Sequence, residues 1–308
     1  MAPRTTLFTE YQPGGMFAIV DAVRHPGAVF FVDSATGVDG EGYGRNPGAP
    51  LATIAAAIAL CTASKGDVVY VMPGHNEGFG NAQLTINKAG VSVIGLGAGA
   101  LRPRIDYDHA NASIDITANG VTLKNLLLLP SVTIVGIGID VNAAVTDTLI
   151  EDVEVLPGED GAGVDEMVLV VDVKAGCSRT TVRRLKVRQH ASATGCVAGV
   201  KLTGASDDVL IEGCDIVTKG AAAVAPINGD TTLSTNVRIS KCTLVADVVA
   251  GIVLLTGTTG VIQDTDIFTN LATIAAATVA DGMAHFRVSY VEVGNESGAV
   301  VKTASIDD

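Results

Sequence analysis

The sequence predicts an all-β protein: a single-stranded, right-handed parallel β-helix with an N-terminal capping helix and a C-terminal β-hairpin. Two observations predict this fold. A six-residue apolar motif recurs at short intervals, and a second set of apolar runs interleaves with it. The composition agrees, because 48% of the 308 residues are hydrophobic while only 4% are aromatic and none is Trp. A narrow coil of short strands needs such a core of Val, Ile, Leu and Ala.

The motif is clearest at residues 211–216, where apolar residues stand at the first, fourth and sixth positions. Its six copies begin at Leu123, Ile150, Val182, Ile211, Ile239 and Ile262. Successive copies lie 27, 32, 29, 28 and 23 residues apart, which is typical of a solenoid. We therefore expect these six residues to stack as one internal column, with one residue from each coil.

A second set of apolar runs lies between the copies of the motif and alternates as half-buried strands do. These runs are residues 113–116, 136–141, 168–173, 199–202 and 251–255. Gly, Asn, Asp and Thr separate them from the motif, and these residues favour turns over helix. Each coil is therefore expected to hold at least two short strands that pair with the equivalent strands of the next coil.

The charges inside the motif test this alignment independently, since stacked coils bring equivalent side chains to roughly 4.8 Å from one another. The second position reads Lys124, Glu151, Arg183, Glu212, Ser240 and Gln263. The fifth position reads Leu127, Glu154, Lys186, Asp215, Thr243 and Asp266. Opposite charges alternate in both series, as a correctly registered ladder favours. This order predicts that most mid-chain carboxylates are structural.

The chain divides into four parts. They are an N-terminal arm (1–28), a capping region (29–67), the parallel β-helix (68–270) and a C-terminal hairpin outside the coil (271–308). The capping region is expected to contain a strand, a Gly-rich loop and a helix over 50–61. Residues 271–277 are compatible with a short helix. The capping helix is expected to cover the open end of the stack, as terminal repeats of solenoids require.

The two ends of the chain carry the candidate partner-binding residues. The arm contains Phe8, Tyr11 and Phe17 among Thr, Pro and Gly, and typical disordered tails lack such aromatic residues. The C-terminal hairpin carries Phe286 and Tyr290. We expect these five aromatic side chains to contact other proteins, with the arm adding main-chain hydrogen bonds to a neighbouring sheet edge.

Charge and composition exclude several function classes. The net charge of −13 argues against binding to nucleic acid or to an anionic membrane. The sequence contains no run of 18 apolar residues, and its N-terminus is a poor signal peptide. Five cysteines without paired spacing favour reduced thiols, although Cys214 and Cys242 share a motif position and are expected within disulfide reach of each other.

Two Gly-rich stretches imitate ligand sites. Residues 95–100 resemble a dinucleotide fingerprint, but Arg102-Pro103 prevents the helix that such a site requires. Asp33, Asp39 and Glu41 lie among glycines without the alternation of a calcium loop. We therefore predict no cofactor and no metal.

The capping region also carries a family resemblance. Residues 31–37, Pro47, 50–54, 57–58, 66–71 and 73–75 resemble the N-terminal signature of pectate-lyase-like right-handed β-helix proteins. This signature covers about 45 residues, and the repeats extend the likeness to about residue 270. Within that superfamily the arm, the signature, residues 95–99 with Arg102-Pro103 and the C-terminal strand pair are similar to virion proteins of tailed bacteriophages.

The resemblance implies a non-enzymatic structural protein of the virion. The expected role is a capsid decoration or cement protein that binds and stabilises the head. Its partners would be the major capsid protein or other virion proteins. A homotrimer that assembles in the host cytoplasm is expected.

The alternative is a polysaccharide lyase or hydrolase, or a tailspike-like receptor-binding depolymerase. Such an enzyme needs converging carboxylates, or calcium-binding acids with a basic residue. Sugar sites also usually stack a ring on an aromatic side chain, and none occurs between Asp108 and Ile267. The first residues to examine for catalysis are Asp152, Glu154, Arg183 and Arg184. The sequence favours the structural role, with no catalytic residue.

Overall fold

The structure is a computed structural model that describes residues 27–156, 165–188, 196–218, 223–229, 231–246, 250–269, 278–279, 283–292 and 302–304. Within these ranges the chain winds repeatedly through three sheets whose strands pair in parallel with those of the coils before and after. The predicted parallel β-helix is therefore confirmed. Each full coil contributes three strands, where the sequence had predicted at least two.

The strands are short and are numbered in chain order. Sheet one contains β1 (Val29–Val32), β2 (Val68–Val71), β5 (Ser92–Gly95), β8 (Thr122–Lys124), β11 (Leu149–Glu151), β14 (Thr181–Arg183), β17 (Leu210–Glu212), β20 (Val237–Ser240), β23 (Gly260–Gln263) and β26 (Met283–Phe286). Sheet two contains β4 (Gln83–Ile86), β7 (Ser113–Ile116), β10 (Ile134–Val141), β13 (Glu166–Val173), β16 (Ala198–Leu202), β19 (Ile227–Gly229), β22 (Ile252–Leu254) and β25 (Thr278–Val279). Sheet three contains β3 (Asn76–Gly78), β6 (Arg104–Tyr107), β9 (Leu127–Pro130), β12 (Glu154–Val155), β15 (Lys186–Val187), β18 (Asp215–Thr218), β21 (Thr243–Ala246), β24 (Asp266–Thr269), β27 (Val288–Glu292) and β28 (Lys302–Ala304).

Each copy of the motif is bent at its third position and so supplies strands to two sheets. The third residue has a positive φ, for example 57° at Asn125, 56° at Asp152 and 65° at Gly213. Gly, Asn and Asp tolerate this left-handed conformation better than other residues. The first half of each copy therefore lies in sheet one and the second half in sheet three. The runs predicted between the motifs form sheet two.

The predicted internal column is confirmed. Leu123, Ile150, Val182, Ile211, Ile239 and Ile262 are directly paired from coil to coil, and each is 0% exposed. Their side chains belong to one continuous core that runs along the stack. Burial of this apolar surface is the main force that holds the coils together.

The capping helix α1 spans Ile54–Leu60, which is shorter than the predicted 50–61. Thr53 caps it, and the Asp39 carboxylate accepts hydrogen bonds from Ala52 N and Thr53 N. These contacts keep residues 50–53 out of the helix, which therefore begins at Ile54. Its buried side chains join the core at the N-terminal end of the stack, where β1 already pairs with β2 in sheet one.

A buried His–Glu pair fixes this end of the stack. His75 Nδ1 accepts a hydrogen bond from Ser34 N at 3.0 Å, and Nε2 lies 3.0 Å from Glu77 Oε2. The same Glu77 oxygen accepts from Ile54 N at 3.0 Å. His75 is 1% exposed and Glu77 is 8% exposed. The pair thus ties the first strand, the helix N-terminus and β3 together, and gives His75 a structural role.

The C-terminal prediction needs a correction. Residues 283–292 do not lie outside the solenoid, because β26 pairs in parallel with β23 and β27 pairs in parallel with β24. Arg287, with a φ of 50°, occupies the bend of a further motif copy. The repeat therefore continues beyond residue 270. The hairpin itself is confirmed, since β27 pairs with β28 in antiparallel orientation. The helix considered at 271–277 and the arm residues 1–26 lie outside the described residues.

Two further features follow from the described part of the chain. It contains no helix that is long and apolar enough to cross a membrane. All five cysteines are buried free thiols, as the sequence predicted. The Cys214 thiol donates to the carbonyls of Val182 and Glu212, and the Cys242 thiol donates to those of Ile211 and Ser240.

Candidate functional site

The four residues that the sequence marks as the first to examine for catalysis lie at the junction of sheets one and three, where they pair with one another and with adjacent charges. The Arg184 guanidinium donates to both carboxylate oxygens of Asp152, at 2.5 and 2.9 Å, and also contacts Glu151 at 2.7 Å. Arg102 contacts Glu154 at 2.7 Å. These ion pairs join residues from different coils, as the predicted ladder requires.

A continuous series of charged side chains, which we call the charge ladder, runs along the stack. It contains Lys124, Glu151, Arg183 and Glu212 from the second motif position and Lys241 from the third. Lys124 contacts Glu151 at 3.2 Å, and Arg183 contacts Glu151 at 3.5 Å and Glu212 at 3.0 Å. Lys241 continues the series with Glu212 at 3.3 Å. The ladder predicted from the sequence at this position is therefore confirmed.

Electrostatics make Asp152 and Glu212 poor proton donors. The hydrogen bonds from Arg184 lower the pKa of the Asp152 carboxyl below its ordinary value. Burial raises the pKa of Glu212, but Lys241 and Arg183 outweigh that effect and lower it. A general acid needs a raised pKa, so that it holds a proton near neutral pH. These carboxylates therefore act as structural anions.

The fifth motif position is only partly as predicted. The backbone register is confirmed, with Glu154 opposite Lys186 and Lys186 opposite Asp215. The closest basic contacts lie elsewhere, however, since Glu154 contacts Arg102 and Asp215 contacts Arg188 at 2.6 Å. Long Arg side chains reach across coil corners, and a register argument alone does not account for that reach.

Sequence reasoning missed a second cluster, in sheet two. Asp115, Asp140 and Asp172 stand directly opposite one another on β7, β10 and β13, in a series that we call the aspartate ladder. Like charges in this position repel and are usually avoided. Lys201 lies opposite Asp172 on the next strand. The signal was present in the sequence as Asp between two aliphatic residues in three successive runs.

The aspartate ladder is held by polar neighbours. Lys174 contacts Asp140 at 3.1 Å and Asp172 at 3.7 Å. The Thr203 hydroxyl donates to Asp172, and the Ser113 hydroxyl donates to Asp115 at 2.6 Å. Asp172 is 2% exposed. These contacts offset part of the repulsion between the carboxylates.

Asp140 is the member with unusual chemistry. Burial raises the pKa of its carboxyl above the ordinary value, and the neighbouring Asp172 and Asp115 add to this effect. The hydrogen bond from Lys174 opposes the shift without cancelling it. A carboxyl with a raised pKa beside other carboxylates is the arrangement that acid–base catalysis of glycoside cleavage uses. Asp140 is thus better suited to donate a proton than Asp152 or Glu212, whose pKa values are lowered.

The proposed partner-binding residues are only partly described. Phe8, Tyr11 and Phe17 lie outside the described residues. Phe286 lies on β26 with 46% of its surface exposed, and the Arg287 guanidinium lies 4.8 Å from its ring centroid. Tyr290 lies on β27 opposite Ile267 and Lys302. Val288, between them, is fully buried in the core and offers no contact surface.

Two of the three loop acids considered for calcium, Asp33 and Asp39, have structural partners. Asp39 accepts hydrogen bonds from Ala52 N and Thr53 N, and Asp33 accepts hydrogen bonds from Ala35 N and from the Thr36 hydroxyl. Among the residues described, no group of three or more His, Cys, Asp or Glu side chains has an arrangement that could hold a metal ion. The Gly-rich stretch at 95–100 forms a corner with a single 3-10 turn at Gly99–Leu101, and β6 begins at Arg104.

Comparison with known proteins supports the fold. Neither a protein-family model nor a curated protein sequence matches the chain. Among solved structures, a rhamnogalacturonan lyase aligns with 89% of this chain and 79% of its own at 12% identity, with a TM-score of 0.60. The pectate lyase Pel9A aligns with 86% of this chain and 77% of its own at 15% identity, with a TM-score of 0.54. A protein of Geobacillus virus E2, ORF18, covers 80% of this chain and 59% of its own at 11% identity, with a TM-score of 0.42, which is too low to carry an argument.

These similarities define the class of protein. The chain is a parallel β-helix protein with the fold of pectate lyases and rhamnogalacturonan lyases, as the sequence signature implied. At 12% and 15% identity the likeness concerns the fold alone. Function must be argued from the residues of this chain.

Proposed function

We propose that this protein is a non-enzymatic structural component of a bacteriophage particle, a trimeric decoration or cement protein that binds the major capsid protein and stabilises the head. The observation that carries the non-enzymatic part is the pairing of Glu151, Asp152 and Glu154 with basic residues of other coils. Carboxylates held in this way stabilise the stack and are not available as a catalytic pair.

Two further observations support a role in binding other proteins. The sequence resembles virion proteins of tailed phages at the arm, the capping signature and the C-terminal strand pair. Exposed Phe286 also provides an apolar contact at the C-terminal end of the solenoid. Partly exposed aromatic side chains of this kind are enriched at protein interfaces.

Binding to phage particles tests the proposal. Purified protein should co-sediment with particles that lack it, and Phe286→Ser should weaken this binding. Leu233→Ser is a matched control, since Leu233 is 50% exposed on a loop in another coil. Sedimentation velocity of the free protein should give about 94 kDa, three times the 31.3 kDa of one chain. Failure to bind any particle fraction contradicts the proposal.

A second candidate function, a polysaccharide-cleaving enzyme, is favoured by the aspartate ladder. The raised pKa of Asp140 would let it donate a proton to a leaving glycosidic oxygen, while a neighbouring carboxyl group of the ladder acts as base or nucleophile. Lys174 contacts both Asp140 and Asp172 and would hold this part of the ladder in place.

A cleavage screen separates the two functions. Pectin, alginate, host capsule and lipopolysaccharide are incubated with the protein, and the chain length of the product is measured. The structural proposal predicts no shortening. Shortening that Asp140→Asn abolishes and Asp147→Asn preserves would establish the enzyme, because Asp147 lies at an exposed corner away from the ladder.

A further inference from the structure

Two cysteines are stacked inside the solenoid. Cys214 and Cys242 occupy the fourth position of successive motif copies. The strands on either side of this position pair in register, for example at Asp215 and Thr243. Both cysteines belong to the main core, and they are 1% and 2% exposed. The fold therefore brings two thiols into one apolar column, one coil apart.

The two thiols have equivalent surroundings, which fixes the distance between them. The sulfurs of Cys214 and Cys242 lie 3.6 and 3.7 Å from the carbonyl oxygens of Val182 and Ile211, the first motif residues of the coils before their own. Each sulfur also lies near the carbonyl oxygen two residues earlier in its own coil, at 3.5 and 3.3 Å. Both side chains thus adopt the same conformation. Their sulfurs are therefore separated by the repeat of the coils, about 4.8 Å.

This separation fits a metal bridge better than a disulfide. The sulfurs of a disulfide are about 2.05 Å apart, and its Cβ atoms about 3.5–4.5 Å apart. Parallel side chains on stacked coils keep their Cβ atoms near the longer coil repeat. Metal–thiolate bonds are about 2.3 Å long, so a metal ion midway between two sulfurs holds them about 4.6 Å apart. The coil repeat therefore matches a linear sulfur–metal–sulfur arrangement.

The neighbours of the pair limit the ion to two ligands. Leu185 in the preceding coil and Thr265 in the following coil occupy the same motif position, and both are buried. Leu185 has no donor atom, and the Thr265 hydroxyl donates to Gln263 O at 2.9 Å. Across the described ranges, no cluster of three or more His, Cys, Asp or Glu side chains could hold a metal ion. Zinc requires four ligands, whereas Cu(I) is a soft ion that prefers sulfur and is stable with two ligands.

The apolar surroundings also favour a monovalent ion. A Cu(I) ion that displaces one thiol proton to the solvent is held by one thiolate and one thiol, so the site carries no net charge. An uncompensated charge in this core would be costly. The two sulfurs and the ion together therefore satisfy the electrostatic requirement of the column.

We propose that Cys214 and Cys242 form a linear site for one Cu(I) ion, which joins two successive coils from inside the core. The site is separate from the Gly-rich loops, the charge ladder and the aspartate ladder. Because both thiols are buried, the ion enters as the chain folds or when these coils open locally. This inference does not depend on the proposed virion role.

Copper retention tests the proposal. The full chain is produced in cells supplied with copper, purified without oxygen and passed through a gel-filtration column in the presence of a Cu(I) chelator. One copper ion per chain should remain bound. X-ray absorption at the copper edge should show two sulfur neighbours at about 2.3 Å and no nitrogen or oxygen neighbour.

Three valine variants locate the site. Cys214→Val and Cys242→Val should each retain no copper, and valine fits this column because Val153 occupies the same motif position in another coil. Cys177→Val is the matched control and should retain one copper ion. Cys177 is equally buried, but its stacked neighbours are Val145 and Ser206, so it has no second thiol beside it.

Other outcomes overturn the proposal. A parent chain without copper, or copper that persists in both Cys214→Val and Cys242→Val, would remove the site. Three or four ligands in the X-ray absorption spectrum of the parent would do the same, whether or not the variants fold. A disulfide between Cys214 and Cys242 in protein exposed to air, detected by peptide mapping, would contradict the proposed separation of the sulfurs.

Discussion

Single side chains in this protein act mainly on the coils before and after their own. Glu151 shows this most clearly, because it contacts Lys124 one coil earlier and both Arg183 and Arg184 one coil later. Exposed ion pairs contribute little individually, but a series of them fixes the register of stacked strands. At the scale of the residue, charge specifies alignment and apolar burial supplies stability.

The internal column provides a direct test of that division. Ile211→Asp places a charge between Val182 and Ile239, where no water is available to solvate it. The loss of unfolding free energy should exceed the roughly 2–5 kcal/mol typical of a buried Ile→Ala change. Leu210→Asp is the matched control, because Leu210 precedes Ile211 on β17 and is only partly buried. Equal melting of Ile211→Asp and the parent would contradict the column.

The ion pair between Asp147 and Arg179 should make the stability of one corner of the solenoid depend on pH. Hydrogen bonds from Arg179, at 2.5 and 2.8 Å, lower the pKa of its carboxyl from 3.8 to about 2. Because the folded pKa is depressed, the pair stabilises the fold fully above about pH 4, and this contribution is lost as the pH falls through 2. Both side chains are exposed, so screening keeps the contribution small.

The measurement is a carboxyl titration by nuclear magnetic resonance in protein labelled at Asp. Asp147 should titrate near 2 in the parent, and Arg179→Ala should return its pKa toward 3.8. Arg238→Ala is the control, because Arg238 contacts Asp208 instead. An unchanged Asp147 pKa in Arg179→Ala would show that the pair does not form in solution.

At the scale of the element, the six-residue motif is two strands joined by a left-handed bend. The sequence predicted its register, because only one alignment of the coils keeps the apolar residues of every strand on the same face and places opposite charges next to each other. It did not predict the bend or the third sheet. Asn125, Asp152 and Gly213 are residues that favour a left-handed bend, but two other copies carry Arg184 and Lys241 at this position, so the preference is not visible in any single copy. Only a comparison of all copies at this position carries that signal.

The candidate sites show the same limit. The charge ladder was predictable because its members share one motif position and alternate in sign. The aspartate ladder was missed because its three acids belong to runs read for their apolar residues alone. The partner of Glu154 was missed for a different reason: Arg102 lies 52 residues away and reaches it across a corner. Register does not specify contacts that long side chains make between sheets.

The left-handed bend predicts that glycine at position 241 is tolerated better than a β-branched residue. Lys241 has a φ of 54°, which is costly for any residue with a Cβ and most costly for a β-branched one. Lys241→Val and Lys241→Gly both remove the ion pair with Glu212, so their difference isolates the backbone effect. Urea unfolding should show the Val variant less stable than the Gly variant by about 1–2 kcal/mol. A more stable Val variant would mean that the bend is not left-handed.

At the scale of the whole molecule, the two ends of the solenoid differ. The N-terminal end is closed by α1 and the His75–Glu77 pair. The C-terminal end carries the β27–β28 hairpin and exposed Phe286. A solenoid needs protection at both ends, and contact with a partner is one way to provide it. The C-terminal end is therefore where we expect subunits or capsid proteins to bind.

The central claim, that the coils form a structural component of a phage head, is tested most directly by locating the protein on intact particles. Purified virions are incubated with a gold-conjugated antibody to the protein and imaged by negative-stain electron microscopy. We expect gold on the heads of most particles, and none on particles from a phage in which the gene is deleted. Particles that carry no gold, under conditions in which the antibody binds the purified protein, would contradict the claim.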